Sequence, residues 1–415
     1  MMKSFFVLLM VLGMKTMHKS TFVLFLLSGL LVSCIEEYKM SDIAKTIYEE
    51  RLVIEGKILA GDKTVVYITR TVPIQTPEQP EGVLGARIKL IGQNGYQSDW
   101  AEYDIEHDRY VIPTFDLEDN TQYALHIEVE GETYQSNFQP ILSTPEIEEV
   151  SIQEKDTGVS LHVSTTGKNN ASRYYMWTYD EDWEIHSEVD FTKKVNGEWM
   201  YNQTTYPLPD NGENPYYYCW MHNVSSLIHI YSTENLENNI VNTLEFLFIP
   251  IDDVRISYIY SILVKQACLS YEAYEYYRLL ALYTQESSGL FSPMPSEVKG
   301  NIQCLSNPKI SVGGFVMASK IQTKRLFIYE SDLKEIHSSY SNCASGLGEE
   351  QSENIFGGWK AAWTREVRDK GAIVYNEHAG VLANNSIIYP KECVDCRQTF
   401  GATKKRPDFW PTDHE

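Results

Sequence analysis

The sequence predicts a mainly β protein, with an N-terminal β-sandwich followed by a larger β-rich domain that carries one helical insertion. Short runs of alternating apolar and polar residues recur about every ten residues, separated by Gly, Pro, Asn and Asp. Tyrosine, which favours strands and also recognition surfaces, occurs 28 times. A single segment has the apolar spacing of an amphipathic helix.

The first 50 residues are predicted to export and tether the chain. The apolar run 22–32 has the length of a signal-peptide core and is too short to cross a bilayer, which needs about 20 apolar residues. It ends in Leu31-Val32-Ser33-Cys34, which resembles a bacterial lipobox, whose cysteine is acylated and becomes the first mature residue. The alternative is an ordinary secretory signal with a chance cysteine.

We therefore interpret residues 1–33 as a signal peptide and residues 34–50 as a polar tether. A second apolar run lies within residues 1–16, and it adds nothing to a complete signal. Translation starting at Met17 would make these 16 residues a start-site artefact; an unusually long signal peptide is the alternative.

Residues 51–145 have the pattern of a sandwich of the immunoglobulin or fibronectin type. "LVIEGKIL" and "TVVYITRTV" alternate, with a turn at 61–63 between them. "LGARIKLIG" alternates again after a loop rich in Pro and Gly. The segment from Tyr123 to Tyr134 predicts a hairpin that turns at Glu130-Gly131-Glu132. Six or seven short strands are typical of this architecture.

Residues 146–338 predict a second, larger β-rich domain. "VSLHVSTT" and "RYYMWTYDEDWEI" are strand-like, and the second carries large side chains on both faces. The segment 270–288 predicts a helix capped by Ser270 and ended by Gly289. Its apolar stripe comprises Ala273, Tyr276, Tyr277, Leu280 and Tyr283. Residues 339–415 form a C-terminal segment that contains cysteines and little periodicity.

Six cysteines follow Cys34, and an even number in an exported protein suggests disulfides. They are Cys219, Cys268, Cys304, Cys343, Cys393 and Cys396. Cys268 and Cys304 are the preferred pair, because both flank the helical insertion. A Cys393–Cys396 pair would close a short loop, and loop entropy makes it less stabilising, at about 2 against about 4 kcal/mol.

Charge and motifs exclude several function classes. The formal net charge is −22, which argues against nucleic-acid binding and against a second, electrostatic membrane contact. Cys393-x-x-Cys396 is half of a zinc site without a second close pair. Asp180, Glu181, Asp182 and Glu184 either bind Ca²⁺ or form a solvated turn. The sequence contains no G-x-S-x-G and no H-E-x-x-H motif, so we expect no catalytic residues, metal or cofactor.

Aromatic residues between 177 and 220 are the candidate ligand-binding surface. They either stack on sugar rings or a partner's groove, or they close a small core beneath a long excursion at 190–225. The candidates are Trp183, Trp199, Tyr216, Tyr217, Tyr218 and Trp220.

Several segments together resemble the DUF4249 lipoproteins of Bacteroidetes. They are the lipobox with its acidic tether, "LVIEGKI", "LGARIKLI", "NTQYALHIEVEGETYQS", "VGGFVMASK", the helix with the segment after it, and "CVDCRQTFGATKKRPDFW". The acidic pair Glu36-Glu37 resembles the surface-export signal of such lipoproteins; a plain acidic tether is the alternative. The resemblance implies no catalytic residues. It implies an outer-membrane companion of TonB-dependent transporters.

These observations favour a surface-exposed outer-membrane lipoprotein that is not an enzyme. It would act as a binding or accessory subunit of a TonB-dependent β-barrel transporter, in nutrient capture. The alternatives are a structural or adhesive surface protein and a hydrolase whose site the sequence does not reveal.

Overall fold

A computed structural model describes residues 50–72, 81–167, 172–187, 216–225, 228–285, 299–333, 373–375, 387–389 and 395–411. Arg51–Val72 and Pro77–Glu415 form one compact unit, which contains every element below. The predicted residues Trp199, Cys343 and Cys393 lie outside the described residues. Within the described part of the chain, no helix is long and apolar enough to cross a membrane.

The protein is mainly β, as predicted. In chain order the strands are β1 (Leu52–Ala60), β2 (Asp62–Arg70), β3 (Arg87–Gly92), β4 (Glu102–Asp104), β5 (Arg109–Thr114), β6 (Gln122–Val129), β7 (Glu132–Ser136), β8 (Gln139–Pro140), β9 (Ile147–Lys155), β10 (Gly158–Thr166), β11 (Tyr174–His186), β12 (Tyr218–Val224), β13 (His229–Ser232), β14 (Ile240–Pro250), β15 (Ile259–Leu269), β16 (Ile302–Cys304), β17 (Val316–Tyr329), β18 (Ile373–Tyr375) and β19 (Ile387–Tyr389). The helix α1 spans Tyr271–Gln285, and short 3₁₀ helices span Val254–Ile256, Glu330–Asp332 and Cys396–Gln398.

A nine-stranded sheet organises these elements. Its order is β12-β11-β15-β17-β1-β2-β5-β4, and β13 pairs beside β12 on β11. β1 and β17 are parallel, with Gly56 opposite Val316. This pairing joins strands on the two sides of the predicted boundary at 145/146, and the division into domains stays a prediction.

Two smaller sheets cover one face of the large sheet. The five-stranded sheet β16-β7-β6-β3, with β8 beside β6, packs on β1, β2 and β5 around an aliphatic core that includes Ile54, Ile58, Leu90 and Leu125. The three-stranded sheet β14-β10-β9 packs on β11 and β15. Its core includes the fully buried Trp177, and burying a large apolar side chain stabilises the fold by about 1.5–3 kcal/mol.

The predicted helix lies on the opposite face. The Oγ atom of Ser270 accepts a hydrogen bond from Ala273 N at 3.2 Å, which confirms the predicted cap. Ala273, Tyr276 and Tyr277 are buried, and Leu280 packs beside them. The side chain of Tyr283 lies outside the described residues. Because side chains alternate along a strand, Leu59 and Met317 meet the helix while their neighbours Ile58 and Ala318 face the small sheets.

The preferred disulfide is wrong. Cys268 and Cys304 are both free and buried, and they lie in different cores: Cys268 on β15 against the three-stranded sheet and Cys304 on β16 in the five-stranded sheet. Flanking one insertion does not make two cysteines neighbours when their strands join different sheets. Cys396 instead bonds to Cys219, 177 residues away, which also excludes a Cys393–Cys396 bridge.

Candidate functional site

Four acidic residues occupy one end of β11. The sequence offered two interpretations, Ca²⁺ binding or a solvated turn, and the structure places all four within the strand rather than in a turn. Glu181, Asp182 and Glu184 are 1%, 5% and 1% exposed. The alternation of the strand sends Glu181 to the face covered by the three-stranded sheet and the other three to the opposite face. Within the described residues, no group of three or more His, Cys, Asp or Glu is arranged to hold a metal ion.

Glu181 lies at the centre of a buried hydrogen-bond network. Its Oε1 accepts from Arg255 Nη1 and from the Tyr260 hydroxyl, both at 2.7 Å. Its Oε2 accepts from Asn223 Nδ2 at 2.9 Å. A buried carboxylate is tolerated when donors satisfy it in this way.

The surroundings of Glu181 shift the pKa values of its partners. Burial raises the pKa of Tyr260 well above its usual value, and the nearby Glu181 carboxylate raises it further. Burial lowers the pKa of Arg255, but Asp253 and Glu181 outweigh burial and raise it overall. The arginine therefore stays charged and the tyrosine stays protonated, which suits a structural ion pair.

Asp182 joins two elements on the opposite face. Its Oδ1 lies 2.8 Å from Nδ1 of His222 on β12, and its Oδ2 lies 3.4 Å from Nη1 of Arg325 on β17. The hydrogen bond to Asp182 raises the pKa of His222, although burial acts in the other direction. Arg325 also donates to Ser261 Oγ at 2.7 Å. The three strands are thus tied together by charged side chains.

Glu184 binds the C-terminal segment. Its Oε2 accepts from the indole Nε1 of Trp410 at 3.0 Å, and its Oε1 lies 2.5 Å from His186 Nε2. Trp410 is 4% exposed and packs with Trp220 and Ile259. The contact joins residues 226 positions apart.

Residues 395–411, here called the C-terminal strap, wrap around β12, which is an edge strand of the large sheet. On one face Cys396 bonds to Cys219 within the core that contains Trp183. At the edge, Thr403 and Trp220 exchange backbone hydrogen bonds of 2.8 and 2.9 Å. On the other face Trp410 packs over the sheet. The strap therefore covers an edge that would otherwise expose unpaired backbone groups.

Most of the predicted aromatic residues gather at this strap, on two faces of the sheet. Trp220 is 7% exposed and packs against Trp410, with Tyr218 beside it. Tyr217 lies next to Tyr218, with ring centroids 4.7 Å apart. Tyr216 stacks under the Arg397 guanidinium, 4.1 Å from the ring centroid.

Trp183 lies apart from that group, in the core beneath the three-stranded sheet, where it is 8% exposed. The indole Nε1 atoms of Trp183 and Trp220 are buried without a hydrogen-bond acceptor in the part of the chain described here. Both side chains pack in cores, and a ligand-binding role for the aromatic residues stays a prediction.

Sequence reasoning missed the residues that complete this site. His222, Arg255 and Arg325 come from three separate strands or turns, and no spacing in the sequence relates them to β11. Trp410 belongs to a tail segment that has no strand or helix periodicity. Its one signal was local composition, in which aromatic and basic residues adjoin in "KKRPDFW".

Comparison with known families gives a match over most of the chain. The family model described as Domain of unknown function (DUF4249) matches residues 35–325. This range contains β1 to β16 and most of β17, and it does not include the strap. Comparison with curated proteins found no match.

Proposed function

The chain belongs to the DUF4249 family, and on that premise we propose that it is an outer-membrane lipoprotein presented at the cell surface. Its function is binding: it is a non-enzymatic accessory subunit of a TonB-dependent transporter and takes part in nutrient capture. The observation that carries the proposal is Cys34, which follows Leu31-Val32-Ser33 at the end of an apolar run.

The position of the folded elements supports an anchored domain. The family match begins directly after Cys34, and the first strand begins at Leu52. The 17 residues between them span at most about 60 Å when fully extended. Two or three acyl chains on Cys34 hold the tether firmly, because each buried CH₂ contributes about 0.8 kcal/mol. The domain can therefore meet a barrel in the same membrane without a spanning segment of its own.

The environment of the acidic residues supports binding rather than hydrolysis. A general acid or base must be free to exchange a proton with a substrate. Glu181, Asp182 and Glu184 are each buried, and each accepts a hydrogen bond from a side chain in another part of the chain. Their contacts tie strands and the C-terminal strap together, which suits a structural role better than acid–base chemistry.

The anchor is tested by labelling cells with palmitate. We expect wild-type protein to take up the label and to fractionate with the outer membrane. Cys34→Ser should lose both properties, and Cys304→Ser, which removes a buried free cysteine, should retain them. Labelling of Cys34→Ser at the wild-type level would refute the anchor.

The accessory role is tested by purifying the wild-type protein from native outer membrane in mild detergent. We expect a β-barrel transporter of the TonB-dependent class to copurify in a fixed ratio. The outer-membrane fraction of cells that make Cys34→Ser, which should lack the protein, is the control for nonspecific recovery of barrels. If adhesins or matrix components copurify and no barrel does, the adhesive alternative replaces this proposal.

A further inference from the structure

The tip of the C-terminal strap is a rigid turn between two fixed points. Cys396 is fixed by its disulfide to Cys219, and Thr403 is fixed by paired backbone hydrogen bonds to β12. Between them, Ala402 N donates to Thr399 O at 3.0 Å and closes a β-turn. Gly401 has φ +85°, which the third position of a type II turn requires. The tip is therefore held in one conformation.

Phe400 projects from this turn and is 99% exposed. Ile105, in the turn after β4, is 85% exposed, and the remaining exposed large apolar side chains of the described residues are at most 67% exposed. A phenylalanine held outside the fold on a fixed turn gives up the stabilisation that burial would supply. Since the turn does not need an aromatic residue at this position, the side chain is available to another surface.

Basic residues flank the tip, although the chain as a whole has a net charge of −22. Within the strap, Arg397, Lys404, Lys405 and Arg406 outnumber two aspartates. The buried carboxylate of Asp395 pairs with Arg397, with Oδ2 and Nη2 2.8 Å apart, and neutralises its charge. Next to the turn, the ammonium of Lys404 donates to the carbonyl of Tyr218, and burial lowers the pKa of this lysine. Lys405 is exposed beside it. The tip thus combines an isolated apolar wedge with local positive charge.

We propose that this tip inserts into the interface of a bilayer that carries anionic headgroups, with Phe400 among the acyl chains and Lys405 on the phosphates. An isolated apolar side chain enters a bilayer without a preformed pocket, whereas a protein partner needs a complementary one. Each lysine or arginine near an anionic surface contributes about a fivefold gain in partition. The inference does not require an acyl chain on Cys34, since the strap alone carries it.

The overall negative charge does not prevent this contact. Charges are screened over about 8 Å at physiological ionic strength, so the lipid surface responds to the residues next to it. The net charge of −22, which predicts no second electrostatic membrane contact, is an average over the whole chain.

The test uses the chain from Ile35 onward, which carries no acyl group and no signal peptide. Its described hydrogen bonds, core clusters and disulfide lie within residues 51–411, so this change removes none of them. Partition is measured by co-sedimentation with vesicles of phosphatidylglycerol and phosphatidylcholine in equal parts, and with vesicles of phosphatidylcholine alone. We expect stronger retention on the anionic vesicles, by about tenfold or more, and a loss of that preference at high salt.

Matched variants separate the tip from general surface effects. Phe400→Ser should weaken partition about tenfold, and Ile105→Ser, an equally drastic change at another exposed apolar residue, should not. Lys405→Gln, which removes one positive charge, should weaken it about fivefold, and Lys63→Gln, at the exposed start of β2, should not. Equal retention on both vesicle types, or equal effects of Phe400→Ser and Ile105→Ser, would overturn the inference.

Discussion

Replacing Glu181 by alanine tests whether the buried acidic residues are structural. The carboxylate accepts three hydrogen bonds, from Arg255, Tyr260 and Asn223, and it is 1% exposed. Alanine removes every acceptor and leaves the hydroxyl of the fully buried Tyr260 without a partner. Arg255 keeps its contact with Asp253 at 2.7 Å, so its charge is not left alone.

The expected loss of stability follows from these contacts. A buried donor left without an acceptor costs about 1–3 kcal/mol, and breaking a buried ion pair costs about 3–5 kcal/mol. Because Asp253 still compensates the arginine, we expect the lower part of the combined range, about 4 kcal/mol. With a urea dependence of about 3 kcal/mol per molar, the unfolding midpoint should fall by about 1 M.

The assay is urea unfolding followed by tryptophan fluorescence, with Glu275→Ala as the matched control. Glu275 also pairs with an arginine, Arg278 at 2.8 Å, but on the exposed surface of α1. Exposed pairs of this kind contribute about 0.5 kcal/mol or less. Equal midpoint shifts for the two variants would refute the structural role of Glu181.

Three further changes have expected outcomes. Replacing both Cys219 and Cys396 by serine should lower stability by up to about 5 kcal/mol in denaturant, because the unfolded chain loses a cross-link over 177 residues. His222→Gln should remove a pH dependence of stability, because Asp182 raises the pKa of His222 in the folded protein. The stabilisation by this pair is complete below the unfolded pKa of about 6.5 and is lost as the pH rises through the folded pKa. Gly314→Ala should destabilise by more than about 3 kcal/mol, because φ is +98° and an added Cβ would lie 1.9 Å from a backbone oxygen of β1.

Each of these changes has a control in the same chain. Cys304→Ser removes a free cysteine and should shift the midpoint much less than loss of the disulfide. Unfolding of the wild type and of His222→Gln is compared at several values between about pH 5 and 9, and parallel curves would contradict the histidine prediction. Gly61 has a similar φ of +89° with open space around it, so Gly61→Ala should lower the free energy of unfolding by about 1 kcal/mol. A loss of stability in Gly314→Ala no larger than this would contradict the predicted clash.

Local elements of the fold were predictable because their signals lie within a few residues. The helix predicted at 270–288 spans Tyr271–Gln285, since its cap and apolar stripe are adjacent in the sequence. The hairpin predicted at Glu130-Gly131 is confirmed, with Val129 opposite Glu132 and positive φ at both turn residues.

The candidate site was predictable only in part. The sequence singled out the acids of β11 and the aromatic residues from Tyr216 to Trp220, and the structure brings most of these together. It did not relate them to Arg255, Arg325 or Trp410. Those partners depend on sheet order and on the course of the tail, and local periodicity contains neither.

The sequence by itself determined the class of the fold, because the alternation of strands, the turn residues and the helix cap are signals between residues close together in the chain. It also determined that Cys34 follows an apolar run, which is the basis of the proposed anchor. Only the tertiary structure decided that Cys396 joins Cys219 rather than a cysteine nearer in sequence, and that Phe400 projects from a fixed turn. The physical reason is that strand pairing and burial depend on contacts between segments far apart in the chain, whose energies no short window of sequence contains.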